Sequence, residues 1–62
     1  MELSEFKPGN CYKVFFEKQK PIEFKYIGVD VLGRHVCREL NGNEFDFNSL
    51  EQYLAIKEID PL

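Results

Sequence analysis

The 62-residue chain has no tryptophan and is poor in the residues that cross-link or catalyse, with one histidine and only two cysteines, Cys11 and Cys37. A small secreted scaffold normally carries four or more cysteines, so this pair indicates a reducing compartment. The N-terminus lacks the basic start and apolar core of a signal peptide, and no apolar run approaches the roughly 18 residues that span a membrane. We therefore expect a soluble, cytoplasmic protein that does not bind membranes.

Sequence motifs of catalysis are also missing. The chain has no glycine-rich phosphate loop, paired-carboxylate motif or nucleophile elbow. His35 and Cys37 share one face of a strand and Cys11 could join them, but the Cys-x-x-Cys and His-x-His spacings typical of zinc sites are absent. A thiol and an imidazole would also need an orienting group and an oxyanion donor to act as nucleophile and base. We expect neither an enzyme nor a cofactor or metal, and interpret the pair as a buried structural cysteine beside a surface histidine.

Aromatic residues are plentiful, with six phenylalanines and three tyrosines, which argues against intrinsic disorder. The length allows one domain, residues 1–62, and a chain this short buries only about 60% of the surface that its unfolded form exposes. The entropy cost of folding nearly cancels the free energy gained by burying this surface, so domains of this size usually need a cross-link or a partner subunit. We therefore expect a homo-oligomer.

The first predicted strand, residues 11–17, follows a turn at Pro8 and Gly9. Tyr12, Val14 and Phe16 share the inward face, which is the period of two expected of a half-buried strand. Phe15 falls on the opposite face, nominally toward water.

The second predicted strand, residues 22–31, changes its phase half-way. Its inward residues are Ile22, Phe24 and Tyr26 at first, and then Ile27, Val29 and Val31. We therefore predict a bulge or sharp bend between Tyr26 and Gly28, where glycine tolerates a bent backbone.

Turn signals delimit the next two strands. Leu32-Gly33 leads into a third strand over residues 34–40, and Asn41-Gly42 predicts a hairpin into a fourth over residues 44–48, with Phe45 and Phe47 inward. The pattern leaves two orientations of the third strand open. Either Val36 and Leu40 point inward, or Cys37 does and the arginines on that strand are fully exposed.

A short helical turn is predicted next, capped by Asn48 or Ser49, with Glu51 or Gln52 completing a capping box. The side chains expected to pack it down are Leu50, Tyr53 and Leu54. A last strand over residues 55–59 stops at Asp60-Pro61. The predicted fold class is all-β: a five-stranded small barrel with one short helical turn before the last strand.

The opening segment Pro8-Gly-Asn-Cys-Tyr-Lys-Val14 and the closing segment Leu50-Glu-Gln-Tyr-Leu-Ala-Ile56, with the bent second strand between them, carry a resemblance. Over residues 6–60 the chain resembles the Src-homology-3-like small β-barrel, an architecture that includes Tudor and Sm-like domains. The peptide-groove motifs of the signalling domains and the paired RNA-binding motifs of Sm proteins are absent, so no functional residue is carried over. The resemblance implies that edge-to-edge assembly is available, since an open small barrel leaves strand edges unpaired.

Charge is segregated along the chain. Residues 7–38 hold seven lysines and arginines against three acidic residues, a net +4, whereas residues 39–62 hold one lysine against six, a net −5; the whole chain carries −3. Three interpretations remain open: a solvated surface, head-to-tail docking between copies, and binding of an anion.

Candidate anion-binding residues are the cations of the first loop and third strand and the aromatics able to stack a base: Lys18, Lys20, Lys25, Arg34, Arg38, Tyr12, Phe15 and Tyr26. The acidic net charge disfavours nucleic acid as a partner, because duplex binders usually show a net basic domain. A single nucleotide in a subunit-interface pocket is less disfavoured, since it needs only two or three donors and one aromatic wall.

We therefore predict a non-catalytic binding protein that binds or sequesters a partner protein or a small anionic, nucleotide-like ligand. Its size and simplicity would suit a phage-type or bacterial accessory inhibitor. Two alternatives stay open: a nucleic-acid-binding module of the Sm-like or Tudor-like kind, and a structural, self-assembling subunit.

Overall fold

The computed structural model describes residues 1–50 and 52–61, which form one sheet of five antiparallel strands in the order β4-β3-β2-β1-β5. The strands are β1 (Cys11–Phe16), β2 (Ile22–Val29), β3 (His35–Glu39), β4 (Glu44–Asp46) and β5 (Tyr53–Ile59). Two 3₁₀ turns, Leu3–Glu5 and Phe47–Ser49, complete the structure, and the second confirms the predicted helical turn before the last strand. The all-β class is confirmed. Closure into a barrel stays a prediction, because β4 and β5 are the sheet edges and do not pair within the described residues.

One face of the sheet carries the core. Its buried members are Phe6, Tyr12, Val14, Phe24, Tyr26, Cys37, Phe47 and Ile56. Phe6 comes from the lead-in segment, where no core residue is predicted. Its ring stacks on Tyr12 at 4.3 Å between centroids and meets the edge of Phe47 at 5.1 Å. The amide of Lys7 donates to the Tyr12 hydroxyl at 2.8 Å, so this buried tyrosine also has a polar partner.

The predicted bulge in the second strand is confirmed. Tyr26 lies opposite Cys37 and Gly28 lies opposite Val36, which leaves Ile27 as the extra residue. Gly28 has a φ of +137°, a conformation that strongly favours glycine.

The prediction that Ile27, Val29 and Val31 turn inward is wrong. Val29 is 59% exposed, and Val31 is completely exposed because β2 has already ended. The carboxylate of Asp30 accepts hydrogen bonds from the amides of Leu32 and Arg34, both at 2.9 Å, and so closes a tight turn where a longer strand was expected.

The structure selects one of the two orientations of β3. Cys37 is fully buried opposite Tyr26, so the residues beside it in the chain point away from the core. Arg38 is exposed, and Leu40 lies beyond the end of the strand, 67% exposed. The Asn41-Gly42 hairpin is confirmed by the hydrogen bond of 3.0 Å from the Gly42 amide to the Glu39 carbonyl.

The cap of the second 3₁₀ turn is Asp46 and not Asn48 or Ser49: its carboxylate accepts from the Asn48 amide at 3.1 Å. The predicted packing of Tyr53 and Leu54 on this turn is also wrong in part. Both belong to β5 and are 38% and 64% exposed, although the Tyr53 ring still meets Phe47 at 5.5 Å. The proposed role of Glu51 in a capping box lies outside the described residues.

Candidate anion-binding face of the sheet

The face of the sheet that points away from the core is called the outer face. Strand periodicity identifies it, because successive residues of a strand point to opposite faces and residues directly opposite on paired strands share a face. Its members are Cys11, Lys13 and Phe15 of β1, Glu23 and Lys25 of β2, Val36 and Arg38 of β3, Glu44 and Asp46 of β4, and Ala55, Lys57 and Ile59 of β5.

Four cations cross the outer face, one on each of four adjacent strands. We call Arg38, Lys25, Lys13 and Lys57 the cationic strip. Arg38 lies directly opposite Lys25, and Lys13 lies directly opposite Lys57. Given about 4.8 Å between strands and about 3.4 Å per residue along a strand, the strip is roughly 16 Å long. The register therefore brings together cations that are up to 44 positions apart in the chain.

The two opposed pairs are unfavourable for the unbound fold, because like charges directly opposite on neighbouring strands repel. Acidic neighbours relieve part of the repulsion in each pair, since Glu23 lies directly opposite Lys13 and Glu44 is bonded to Arg38. The Arg38 guanidinium forms an ion pair with Glu44, with Nη2 at 2.6 Å and Nε at 3.1 Å from the same carboxylate oxygen. Among residues 1–50 and 52–61, no carboxylate lies within 4.0 Å of the ammonium groups of Lys13, Lys25 and Lys57.

An aromatic ring borders the strip. Phe15 is half-buried on the outer face opposite Ala55, and the Lys13 ammonium lies 5.5 Å from the centroid of its ring. This distance permits a cation–π interaction, which partly holds the lysine in place without neutralising it.

A shallow groove lies beside the other end of the strip. Its walls are formed by Gly9, Cys11, Lys25, Arg38, Glu39, Leu40 and Pro61. Lys25 and Arg38 stand side by side there, so one carboxylate or phosphate could accept hydrogen bonds from both. The groove is open to solvent, which suits a group presented by a larger partner.

The sheet divides the predicted cations into separate places. Lys25 and Arg38 lie directly opposite each other on the outer face, and Phe15 shares that face at the other end of the cationic strip. Lys18 and Lys20 lie in the β1–β2 turn, and Arg34 lies in the β2–β3 turn at the opposite end of the sheet. The five predicted cations therefore do not form one site.

Arg34 is bound to Asp30, with Nε 2.7 Å from the carboxylate. Hydrogen bonds to the Asp30 carboxylate, first from the Arg34 amide and also from its side chain and the Leu32 amide, lower the pKa of Asp30. This cation helps to hold its own turn.

The expectation that Tyr12 or Tyr26 stacks a base is wrong. Both rings lie in the core, Tyr12 fully buried and Tyr26 4% exposed, so neither offers a face to a ligand. The Tyr26 hydroxyl is hydrogen-bonded to Nδ1 of His35 at 2.9 Å. Burial raises the pKa of this hydroxyl, and the neighbouring Cys37 and Tyr12 raise it further.

Sequence reasoning missed Lys13 and Lys57 as site residues. Their strand phase was visible, since Lys13 alternates with Tyr12 and Val14, and Lys57 follows the apolar Ile56. No local signal indicates that β1 pairs with β5, however. The missing information was the register between two strands at opposite ends of the chain.

The two thiols are free, buried and separated by the sheet. Cys11 belongs to the outer face and Cys37 to the core face, so the two do not join His35 in one ligand set. Burial, with the nearby Asp46 carboxylate, raises the pKa of Cys37 to about 12, which keeps this thiol protonated at neutral pH and unsuited to nucleophilic attack. In the described part of the chain, no three or more histidine, cysteine, aspartate or glutamate side chains are grouped to hold a metal ion.

No helix within residues 1–50 and 52–61 is long and apolar enough to cross a membrane. The chain matches no protein-family model, and neither a curated protein nor a solved structure is significantly similar to it.

Proposed function

We propose that the protein is a non-catalytic binding module whose cationic strip holds an anionic partner. The observation that carries the proposal is the pair of like-charge contacts, Arg38 opposite Lys25 and Lys13 opposite Lys57, in a chain of net charge −3. Each contact costs stability in the unbound protein, and local arrangements that oppose stability are typical of functional sites. A bound anion would turn both repulsions into attractions.

The shape of the strip favours an acidic segment or surface of a partner protein. The four cations lie along roughly 16 Å of exposed sheet. A single nucleotide would span only one of the two opposed pairs, and in the Lys25 and Arg38 pair the guanidinium is already bonded to Glu44. A long nucleic acid would meet a protein that is acidic beyond the strip and would be repelled there. Inhibition or sequestration of the partner would follow if the acidic segment is one that the partner needs.

The order of the elements supports a second part of the proposal, that the chain is a Src-homology-3-like small β-barrel. The structure has five short strands, a bulge in the second and a 3₁₀ turn before the fifth. The contact between the Phe47 and Tyr53 rings at 5.5 Å brings the segment after β4 against the start of β5, so that the sheet approaches closure at that end and not along the edge of residues 55–59.

Self-association is the alternative that a specific observation favours. Val29, Val31 and Leu32 expose 59%, 101% and 73% of their surface around the β2–β3 turn. Adjacent exposed apolar residues of this kind often mark an interface. Native mass spectrometry tests it: a homo-oligomer that Val31→Asp dissociates would support a self-assembling subunit, and a wild-type monomer at the same concentration would contradict it.

The binding proposal is tested with two double variants of equal charge. Lys13→Gln/Lys57→Gln removes half of the cationic strip, and Lys18→Gln/Lys20→Gln removes the same charge from the β1–β2 turn. The probe is a fluorescein-labelled octaglutamate, and the readout is fluorescence anisotropy at 20 and 200 mM NaCl. Because each exposed ion pair contributes about 0.5 kcal/mol, we expect the strip variant to bind roughly fivefold more weakly and the turn variant to bind almost as wild type.

Equal losses in the two variants would contradict the proposal, because binding would then follow net charge and not the strip. A labelled octathymidylate serves as the competing probe. If it binds more tightly than octaglutamate and loses affinity more steeply with salt, the nucleic-acid alternative is favoured.

A further inference from the structure

We infer that the free edge of β5 receives an extended segment of the partner as a sixth strand, with an aspartate or glutamate of that segment opposite Lys57. This inference rests on the proposed function and specifies the class of partner: a peptide strand with an outward carboxylate flanked by apolar residues.

The two edges of the sheet differ. β4 has three residues, whereas β5 has seven, of which residues 55–59 pair regularly with β1. In the described part of the chain, no backbone hydrogen bond from a turn or loop reaches residues 53–59. One side of β5 is therefore bonded to β1 and the other is open, and an open edge of this length is what an added strand requires.

Three charged residues form a row across the outer face, and the row ends at Lys57 on the edge strand without an acidic residue beyond it. Glu23, Lys13 and Lys57 lie at one level on β2, β1 and β5, each directly opposite the next. Lys13 has an acidic neighbour on one side. Lys57 has a like charge on one side and the open edge on the other, so a carboxylate on an added strand would give it the opposite charge that its own sheet does not provide.

The side chains beside the β5 edge indicate which other residues the added partner strand should carry. On the core face beside Lys57, Ile56 is buried and Glu58 is exposed, while Leu54, at the bulge where the β1–β5 register shifts, is 64% exposed. An apolar residue of the added strand would cover Leu54, while its carboxylate remained on the outer face. The expected segment therefore alternates acidic and apolar residues, the period that a strand imposes.

A second copy of the chain fits this edge poorly. In an antiparallel pair about a two-fold axis, outer faces stay together, and the outer-face residues of β5 are Ala55, Lys57 and Ile59, none of them acidic. The β4 edge does carry acids, but Glu44 is bound to Arg38 and Asp46 accepts hydrogen bonds from the amides of His35 and Asn48. The charges thus favour a strand from a different protein.

The test uses a seven-residue peptide that alternates valine and glutamate, acetylated and amidated at its ends, and two versions of it. Each version carries N-methyl groups on one of the two alternating sets of backbone amides. In an added strand only one set faces β5, so we expect one version to lose binding more than tenfold and the other to bind within threefold of the parent. Amide resonances of residues 53–59 should shift most, and Lys57→Gln should weaken binding where the Lys18→Gln control does not.

Three results would overturn the inference. If both N-methylated peptides bind as the parent does and Lys57→Gln still weakens them, the strip binds anions through side chains alone; the proposed function then stands and the added strand is wrong. If the parent peptide does not bind and octaglutamate is also insensitive to Lys13→Gln/Lys57→Gln, both proposals fail. Dimerisation through β5, detected by native mass spectrometry and abolished by the peptide, would assign the edge to a second copy and also contradict the inference.

Discussion

Lys57→Glu should stabilise the unbound protein while it removes binding of an acidic partner. Lys57 lies directly opposite Lys13 on the outer face, and Glu23 lies on the other side of Lys13, so the substitution creates an alternating row of charges. A directly opposed pair changes stability by about 0.2–1 kcal/mol, and reversing its sign removes a repulsion and adds an attraction. We expect a gain of about 1 kcal/mol in the free energy of unfolding. For a domain of this size that corresponds to a rise in Tm of about 4–8 °C.

Thermal unfolding followed by circular dichroism at 20 mM NaCl measures this gain, and Lys18→Glu is the matched control because its side chain lies in a turn with no opposed residue. The gain should shrink in 1 M NaCl, where charges are screened beyond about 3 Å. Octaglutamate binding should fall in Lys57→Glu by more than in the control. If the Tm of Lys57→Glu is unchanged or lowered, or if the Tm of Lys18→Glu rises by the same amount, the claim that the cationic strip lowers the stability of the unbound protein is refuted.

Three further predictions concern the fold that supports the outer face. Phe6→Ala removes the ring that covers the aromatic core, and the loss of about 3–5 kcal/mol in the free energy of unfolding should abolish cooperative unfolding in urea. Phe6→Leu should still unfold cooperatively, at a lower urea midpoint. A Phe6→Ala midpoint equal to that of wild type would contradict this role of Phe6. The thiol of Cys37, whose pKa is about 12, should react with a disulfide reagent at pH 8 only as fast as the protein unfolds. Cys11→Ala leaves Cys37 as the one cysteine of the chain, and a fast reaction in this variant would contradict the prediction. The pKa of Asp30 in the folded protein is below its ordinary value, so the stability that this carboxylate contributes is fully present above the ordinary pKa and is lost as the pH falls through the lowered pKa. Asp30→Asn should therefore lower Tm at pH 7 and make Tm fall less steeply below about pH 4. Parallel plots of Tm against pH for the two proteins would contradict this role of Asp30.

Local patterns in the sequence determined the strands, the turns and the bulge. Alternation of apolar residues located β1 and the first part of β2, the Asn41-Gly42 pair located a hairpin, and Gly28 marked the bulge, because each depends on the backbone preferences of a few adjacent residues. The same reasoning failed where a short-range hydrogen bond to an aspartate side chain competes with the strand or cap pattern. Asp30 closes a turn on Arg34 and ends β2 early, and Asp46 displaces the expected caps.

The candidate site was decided by the register of strands that are distant in the chain. Composition showed that the first half is basic, and the pattern placed Lys25 and Arg38 on strands, but only the pairing of β1 with β5 sets Lys57 opposite Lys13. The side chains of one strand alternate between the two faces, and this alternation can be read from a few adjacent residues. The choice of the neighbouring strand and its register depends on the packing of the whole core. The sequence by itself determined which residues are cations on strands. The tertiary structure decided that four of them share one face, because the register between distant strands sets which of them lie opposite each other.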